Sequence, residues 1–221
     1  MAIIKLENVS YAYRGAENPA VNHVSCEFEA GQMYALIGPS GSGKSTLLSM
    51  LAGLDLPTEG EVYFGDTKLR DMDLDKYRRE DISMIFQAFH LFPLMTVEEN
   101  VRYPMELCGM HPREAKERAR PLLESVGIHS EKHGRFPANL SGGEQQRVAI
   151  ARSLASGART LLADEPTGNL DGANTVNVIR ILGQLAHEQG YCVIVVTHDP
   201  EAAEPADRVY RVKDGVLTQA K

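Results

Sequence analysis

The segment Gly38–Ser45 restricts the fold of this 221-residue chain more than any other part of the sequence. It reads Gly-Pro-Ser-Gly-Ser-Gly-Lys-Ser, fits the spacing GxxxxGK[ST], and lies between the apolar runs Met33–Ile37 and Thr46–Leu51. In a strand–loop–helix of this kind, glycines let backbone N–H groups turn inward around phosphate oxygens, and the helix N-terminus adds partial positive charge. We therefore predict an α/β fold that binds the phosphates of a nucleotide.

Two side chains of this loop, Lys44 and Ser45, have different expected roles. Lys44 can reach the outer phosphates, and the hydroxyl of Ser45 can ligate Mg²⁺. The alternative is a glycine-rich turn that matches by chance, but the flanking strand and helix argue against it. The nucleotide contacts predicted here are Gly38, Pro39, Ser40, Gly41, Ser42, Gly43, Lys44, Ser45 and Thr46, with Lys44 also catalytic.

Four apolar segments predict a parallel sheet. Met33–Ile37, Thr160–Ala163 and Cys192–Thr197 are nearly continuous apolar runs separated by helical patterns, and Ile82–Phe86 is expected to join them. Strands that are apolar on both faces belong to parallel sheets covered by helices.

The N-terminal part has a different pattern. Val24–Phe28 alternates apolar and polar residues, which is typical of a strand with one face in water. Glu61–Phe64, the turn Gly65-Asp66 and Thr67–Leu69 predict a hairpin. We expect a small antiparallel subdomain here.

Between Ala88 and Ser156 the sequence is mostly helical in pattern. Thr96, followed by two glutamates, is expected to begin one helix, and Pro112 to occupy the first position of another. Pro121 falls within the second pattern and should kink or restart that helix, because proline removes a backbone donor. The segment from about 88 to 156 is thus predicted to be a helical subdomain inserted in one domain of residues 1–221.

Asp164 and Glu165 follow the predicted strand Thr160–Ala163. Because ligands of open α/β sheets bind at the carboxyl ends of strands, we expect Asp164 to hold Mg²⁺ through water and Glu165 to polarise the attacking water. An acidic pair that merely caps a helix would be the preferred interpretation if the phosphate loop were not in the same chain.

Composition excludes some classes of protein. The formal net charge is −7 and there is no long basic run, so a duplex-binding surface is not expected. No signal peptide or membrane-spanning run is visible, which predicts a cytoplasmic protein. Three widely spaced cysteines, Cys26, Cys108 and Cys192, predict reduced and mostly buried thiols rather than a metal or disulfide role.

The segment Leu140–Gln145 reads Leu-Ser-Gly-Gly-Glu-Gln and is followed by Gln146–Arg152. Ser141 and the two glycines would offer a hydroxyl and bare amides at the start of a helix Glu144–Leu154, which is a second anion site. An ordinary Ser-Gly-Gly cap is the alternative. The segment resembles the signature of the ATP-binding-cassette (ABC) superfamily, and the resemblance extends over essentially the whole chain.

That resemblance implies a P-loop NTPase (RecA-like) core, ATP and Mg²⁺ as ligands, and a head-to-tail homodimer around two ATP molecules. Each signature would face the nucleotide of the other subunit, with Ser141 and Gly143 at its γ-phosphate. The signature residues expected to bind nucleotide are Ser141, Gly142, Gly143 and Glu144.

Four further positions match residues with known roles in the family. The resemblance places Tyr13 on adenine, with Tyr11 as a rival, and Gln87 at Mg²⁺, where it senses the membrane subunit. It places Asp171 in the loop that links the two active sites, and His198 at the γ-phosphate. Alone, a surface tyrosine, a single glutamine or a histidine at a strand end would be read as structural.

The segment Asp164–Asp171, together with Ala35–Gly43, resembles lipoprotein-releasing, macrolide-exporting and cell-division cassettes. This implies an ATPase on the inner face of the cell membrane that powers a separate permease for export or extraction. The resemblance allows an accessory periplasmic or extracellular protein as a further partner and implies no nucleic acid. One alternative is an ATPase that transmits a mechanical signal without cargo. A soluble cassette of DNA repair or translation would need coiled coils, zinc cysteines or two cassettes, none of which is visible.

Overall fold

The computed structural model describes residues 2–221, and its first sheet is antiparallel. The spatial order of its four strands is β2 (Val21–Glu29), β1 (Ala2–Tyr11), β4 (Glu59–Phe64) and β5 (Thr67–Lys68). The expected antiparallel sheet is confirmed, except that Leu69 begins a short 3₁₀ turn and β1 was not predicted. Ile4, Leu6 and Val9 are buried, but a register shift between Leu6 and Val9 interrupts the alternation that would have revealed β1.

The second sheet has six strands and carries the candidate site. Its spatial order is β10 (Val216–Gln219), β9 (Arg208–Lys213), β3 (Met33–Ile37), β8 (Cys192–Thr197), β7 (Thr160–Asp164) and β6 (Ile82–Phe86). All neighbours are parallel except β10, which runs antiparallel to β9. The four predicted parallel strands are confirmed; β9 and β10 were not predicted, because Arg211 and Lys213 interrupt the apolar pattern of β9.

Residues 2–221 form seven α-helices. They are α1 (Lys44–Leu51), α2 (Leu74–Glu80), α3 (Val97–Leu107), α4 (Pro112–Ser125), α5 (Gly142–Ala155), α6 (Gly172–His187) and α7 (Pro200–Ala203). One apolar cluster joins the sheet to α1 and the antiparallel sheet, and another joins its opposite face to helices α3–α6. The strands β3, β7 and β8 are therefore buried on both sides, as their composition predicts.

The segment between β6 and β7 contains α3, α4 and α5 and no strand among the described residues. Thr96 caps α3 in a capping box with Glu99, and Pro112 is the first residue of α4, as expected. The expected restart at Pro121 is wrong: α4 continues through it to Ser125, because buried Ala119 and Leu123 hold both halves on the core. Whether this segment is a separate subdomain stays a prediction.

All three cysteines are free thiols. Cys192 is buried, Cys26 is half-buried, and Cys108 is exposed just after α3. The expectation of mostly buried thiols is therefore wrong for Cys108. Among residues 2–221, no helix has both the length and the apolar character needed to cross a membrane.

Candidate active site

The phosphate loop opens onto a cleft of about 930 Å³ at the carboxyl ends of β3, β6, β7 and β8. Parallel strands bring the loops that follow them to one edge of the sheet, so residues more than 100 positions apart meet here. The cleft is lined by Tyr13, Ala20, Pro39, Ser40, Gly41, Gly43, Lys44, Ser45, Thr46, Gln87, Asp164, Glu165 and His198.

Glycine is required in the loop for two different reasons. A Cβ on Gly38 would lie 2.2 Å from the carbonyl oxygen of Val212, and one on Gly43 would lie 2.1 Å from that of Ala20. Gly41 has open space around it but a φ of 76°, which L-residues rarely adopt. The loop is thus held closely between β9 and the segment before β2.

The cationic end of Lys44 is turned into its own loop. Its Nζ donates to the carbonyl oxygens of Gly38 and Pro39, 2.8 Å away in both cases, and the residue is only 7% exposed. The buried hydroxyl of Ser42 has no hydrogen-bond partner among residues 2–221. A buried cation and an unpaired buried donor in a glycine-rich loop at a helix N-terminus fit the phosphates of a nucleotide.

Tyr13 and Tyr11 have different environments. Tyr13 lines the cleft, is half exposed, and its hydroxyl lies 3.0 Å from Oγ1 of Thr46. Tyr11 packs edge-on against Tyr13, and its hydroxyl donates to Asp55. Tyr13 is therefore the tyrosine available to a base, whereas Tyr11 supports it.

The expected metal-binding residues Ser45, Gln87 and Asp164 all line the cleft. Burial raises the pKa of Asp164, Glu165 raises it further, and Lys44 partly offsets the increase. Within the described residues, no group of three His, Cys, Asp or Glu side chains could hold a metal on its own. A cation here would take a hydroxyl, an amide and a carboxylate together with phosphate oxygens and water, as Mg²⁺ does.

Glu165 and His198 form a pair across the cleft. Nδ1 of His198 lies 2.9 Å from both carboxylate oxygens of Glu165. The backbone N–H of Glu165 donates to the carbonyl oxygen of Val196 in β8, and its φ of 47° is unusual for a residue other than glycine. The turn after β7 thus directs this carboxylate toward the end of β8.

Gln87 connects the cleft to the loop that precedes α6. Its carbonyl oxygen accepts from Nδ2 of Asn169, and its Nε2 lies 3.4 Å from Oδ1 of Asn169. A Cβ on Gly168 would lie 2.7 Å from that Nε2, so a glycine there leaves room for the glutamine side chain.

The predicted signature residues do not line this cleft. Ser141 caps α5, where its Oγ accepts from the N–H of Glu144 and the Glu144 carboxylate accepts from the N–H of Ser141. Lys132 forms an ion pair with Glu144, and this contact, followed by the Ser141 N–H, lowers the pKa of Glu144 to about 2. The helix begins at Gly142, two residues before the predicted start.

Asp171 lies beside the signature rather than in the cleft. It caps α6 and accepts from the backbone N–H and the side-chain amide of Asn174. A Cβ on Gly143 would lie 2.0 Å from Oδ1 of Asn174. The structure thus gathers the expected site residues into two groups, one around the phosphate loop and one at the N-termini of α5 and α6.

Several contributing residues were missed from the sequence. Ala20 lines the cleft, Asn169 holds Gln87, Asn174 packs on Gly143, and Lys132 anchors Glu144. Only the position of Asn169 within Gly168–Asp171 offered a signal. The other contacts arise from tertiary packing between segments far apart in the sequence.

A phosphate loop on a parallel sheet, with two carboxylates at the carboxyl end of another strand of the same sheet, defines a nucleotide-hydrolysing P-loop protein. The sequence model described as "ABC transporter" matches residues 21–168, and the chain belongs to this family. It is the ATP-binding, ATP-hydrolysing cassette of the family, with Mg·ATP as its ligand.

Relatives align over nearly the whole chain. The chain is 40% identical to the lipoprotein-releasing system ATP-binding protein LolD of Idiomarina loihiensis, with 98% of this chain and 96% of LolD covered. It is 42% identical to the macrolide export ATP-binding/permease protein MacB 1 of Yersinia pestis, with 97% of this chain but only 33% of MacB 1 covered.

A solved structure has the same fold. It is the dimeric structure of the ABC transporter cassette MJ0796, a protein of Methanocaldococcus jannaschii whose sequence is 40% identical to this chain. The two structures superpose with a TM-score of 0.87, and the alignment covers 99% of this chain and 99% of the MJ0796 chain. A second dimeric structure of MJ0796 represents a post-hydrolysis state bound to ADP and Pi. The P-loop core with its antiparallel sheet and the ATPase activity expected from the sequence are thus confirmed, and the dimer is a property of the MJ0796 structures.

Proposed function

We propose that two copies of this chain enclose two Mg·ATP molecules and that hydrolysis drives a separate permease for export or extraction of a substrate from the membrane. One observation carries the proposal: the cleft holds the phosphate loop and the acidic pair, whereas Ser141, Gly142 and Gly143 lie outside it. A second copy, placed head to tail, would bring its signature to the open side of the cleft. Each nucleotide then needs both chains.

Phosphate binding is assigned to the loop and Lys44. The Lys44 ammonium would exchange its two carbonyl contacts for phosphate oxygens, and the unpaired Ser42 hydroxyl would donate to the same group. Ser45, Gln87 and Asp164 would hold Mg²⁺, which neutralises charge on the outer phosphates. Ionised Asp164 would become favourable on metal binding, because the cation offsets the burial that raises its pKa.

Proton transfer is assigned to Glu165. Its carboxylate would accept a proton from the water that attacks the γ-phosphorus, so that ATP and water yield ADP and inorganic phosphate. His198, bonded through Nδ1 to both carboxylate oxygens, would position this base and present its other ring nitrogen to the γ-phosphate. Tyr13 would stack on adenine.

The second half of each site is assigned to the signature. The Ser141 hydroxyl and the N–H groups of Gly142 and Gly143 would bind the γ-phosphate of the partner's nucleotide. Glu144 would hold the helix start through its capping box and its ion pair with Lys132. Asp171, through Asn174, would fix the position of Gly143 at the boundary between the two copies.

The permease is assigned to a groove that ends next to Gln87. This groove of about 380 Å³ is largely apolar and carries three arginines, Arg78, Arg79 and Arg152. Arg152 donates to the carbonyl oxygens of Phe89 and His90, and therefore ties α5 to the segment after Gln87. A short amphipathic segment of the permease with an acidic residue would fit the groove, and closure around ATP would move it.

The direction of transport rests on relatives that release lipoproteins or export macrolides. Attachment to a permease would place the chain peripherally on the inner face of the cell membrane. An accessory periplasmic or extracellular protein, if the system has one, would act on the permease and not on this chain.

Co-expression with candidate permeases from the same genome tests the proposal. We expect the two proteins to purify together and, in proteoliposomes, to move substrate only with hydrolysable ATP. The Glu165→Gln variant, which should assemble but not transport, is the control. Assembly and ATP hydrolysis without substrate movement would favour the signalling alternative, and failure to assemble would contradict the permease assignment.

A further inference from the structure

A second cavity lies behind the phosphate loop. It measures about 280 Å³ and is lined by Ile37, Gly38, Pro39, His198, Pro200, Arg211 and Lys213. Pro39 and His198 also line the cleft. Pro39 and His198 therefore form the wall between the cleft and this cavity. The γ-phosphate of a bound nucleotide would lie on the cleft side of that wall.

The strand β9 supplies the charge of this cavity. Ile37, the last residue of β3, pairs with Arg211, and the carbonyl oxygen of Val212 approaches Gly38 closely. Tyr210 and Val212 turn into the apolar cluster that includes α1, so Arg211 and Lys213 project together from the opposite face.

These two cations stand out on a chain with a net charge of −7. Within residues 2–221, neither Arg211 nor Lys213 forms an ion pair with a carboxylate. Asp214, which follows Lys213 in the sequence, lines a different cavity together with Asn18 and Gly41. Of the acidic residues near the other wall, Glu165 bonds His198, and Asp199 accepts from the N–H of Glu201. The cavity therefore carries two cations that have no ion-pair partner among the described residues, and Gly38 and Pro39 of the phosphate loop form part of its wall.

We propose that this cavity binds inorganic phosphate and receives the phosphate product as it leaves the cleft past Pro39 and His198. A doubly charged oxyanion matches the guanidinium of Arg211 and the ammonium of Lys213, and the cavity has room for it. In a closed dimer the open side of the cleft would be covered by the second copy, so phosphate would need another way out. The inference rests on the proposed function in taking phosphate as the product made in the cleft and in taking the open side of the cleft as covered by a second copy.

The test uses the full chain loaded with Mg·ADP and titrated with inorganic phosphate. Removing both cations in Arg211→Gln/Lys213→Gln should weaken phosphate binding about tenfold or more, while ATP affinity stays within about twofold. The exchange Arg211→Lys/Lys213→Arg should largely restore binding. Arg113→Gln/Arg135→Gln, which removes two exposed cations that do not line the cavity, should leave phosphate binding unchanged.

A second measurement distinguishes phosphate produced in the cleft from phosphate added to the solution. Rapid mixing with a fluorescent phosphate sensor follows the product, and the double variant should release it more slowly while single-turnover cleavage stays at the parental rate. Unchanged phosphate binding would overturn the site, as would equal weakening in the control variant. Weakened binding with unchanged release would overturn the product route. A parental protein that does not bind ATP at all would instead contradict the proposed function.

Discussion

His198 and Glu165 lie 33 residues apart in the sequence, and Nδ1 of His198 is 2.9 Å from both carboxylate oxygens of Glu165. The contact joins the ends of β7 and β8, which are neighbours in the sheet. This contact fixes the position of the carboxylate that we propose as the base for the attacking water.

Replacing this base tests its assignment. Glu165→Gln keeps the shape of the side chain but removes its basicity, so we expect ATP binding to persist, hydrolysis to fall by about 100-fold or more, and a dimer to accumulate. ATPase assays with size-exclusion chromatography in the presence of ATP provide the measurement. Glu188→Gln, at an exposed helix end, is the matched control. Turnover of Glu165→Gln at the parental rate would show that Glu165 is not the base.

The loop glycines should respond differently to alanine. At Gly38 and Gly43 a Cβ would meet backbone carbonyl oxygens at 2.2 and 2.1 Å, so alanine should abolish nucleotide binding or folding. At Gly41 the space is open and only the positive φ opposes alanine, which should cost about 1 kcal/mol of unfolding free energy and preserve binding. Nucleotide titration and denaturant unfolding of the three variants compare the two effects. Equal behaviour of all three would be evidence against the close approach of β9.

The contact between Gly143 and Asn174 can be isolated by a double-mutant cycle. Gly143→Ala should destabilise the fold by roughly 1–3 kcal/mol, because the new Cβ overlaps the Asn174 side chain. Asn174→Ala in the same chain should recover part of that loss. Recovery of stability without recovery of ATPase activity would agree with a direct role of Gly143 at the partner's nucleotide, whereas additive losses would exclude the clash.

The ion pair of Glu144 makes a pH-dependent contribution. The folded-state pKa of about 2 lies below the ordinary value of 4.5, so the stability that the ionised group contributes is complete above 4.5 and is lost as the pH falls toward 2. Glu144→Gln keeps a capping-box acceptor but loses the charge, and should unfold about 1–2 kcal/mol more easily at pH 7.

Urea unfolding of the parental protein and of Glu144→Gln should therefore converge between pH 4.5 and 2. Lys132→Met is the partner control, and its effect should not add to that of Glu144→Gln. A difference in unfolding free energy that does not depend on pH would mean that packing, and not charge, holds this helix start.

The sequence predicted those parts of the fold that depend on local patterns. Buried parallel strands, the phosphate loop and the helix starts at Thr96 and Pro112 each have a signal within a few residues. The helix restart predicted at Pro121 does not occur, because the burial of neighbouring residues outweighs the missing backbone donor. The strand β9 was missed because its two exposed cations resemble a loop in the sequence.

In the candidate site, too, residues within motifs were predicted from the sequence, whereas the contacts that support them were not. The residues around the phosphate loop converge in one cleft, and their roles there stay predictions. The contacts that support them, such as Asn169 on Gln87 and Asn174 beside Gly143, depend on packing between loops that the sequence does not encode as a motif. The hydrogen bonds from Lys44 to the carbonyl oxygens of Gly38 and Pro39 likewise could not be predicted from the sequence.

The central claim is that each ATP needs the phosphate loop of one copy and the signature of the other. Lys44→Ala and Ser141→Arg should each be inactive alone, whereas an equal mixture should form mixed dimers with one intact site and regain about a quarter of the parental ATPase rate. A mixture no more active than its components, or either variant hydrolysing ATP at the parental rate by itself, would contradict the account.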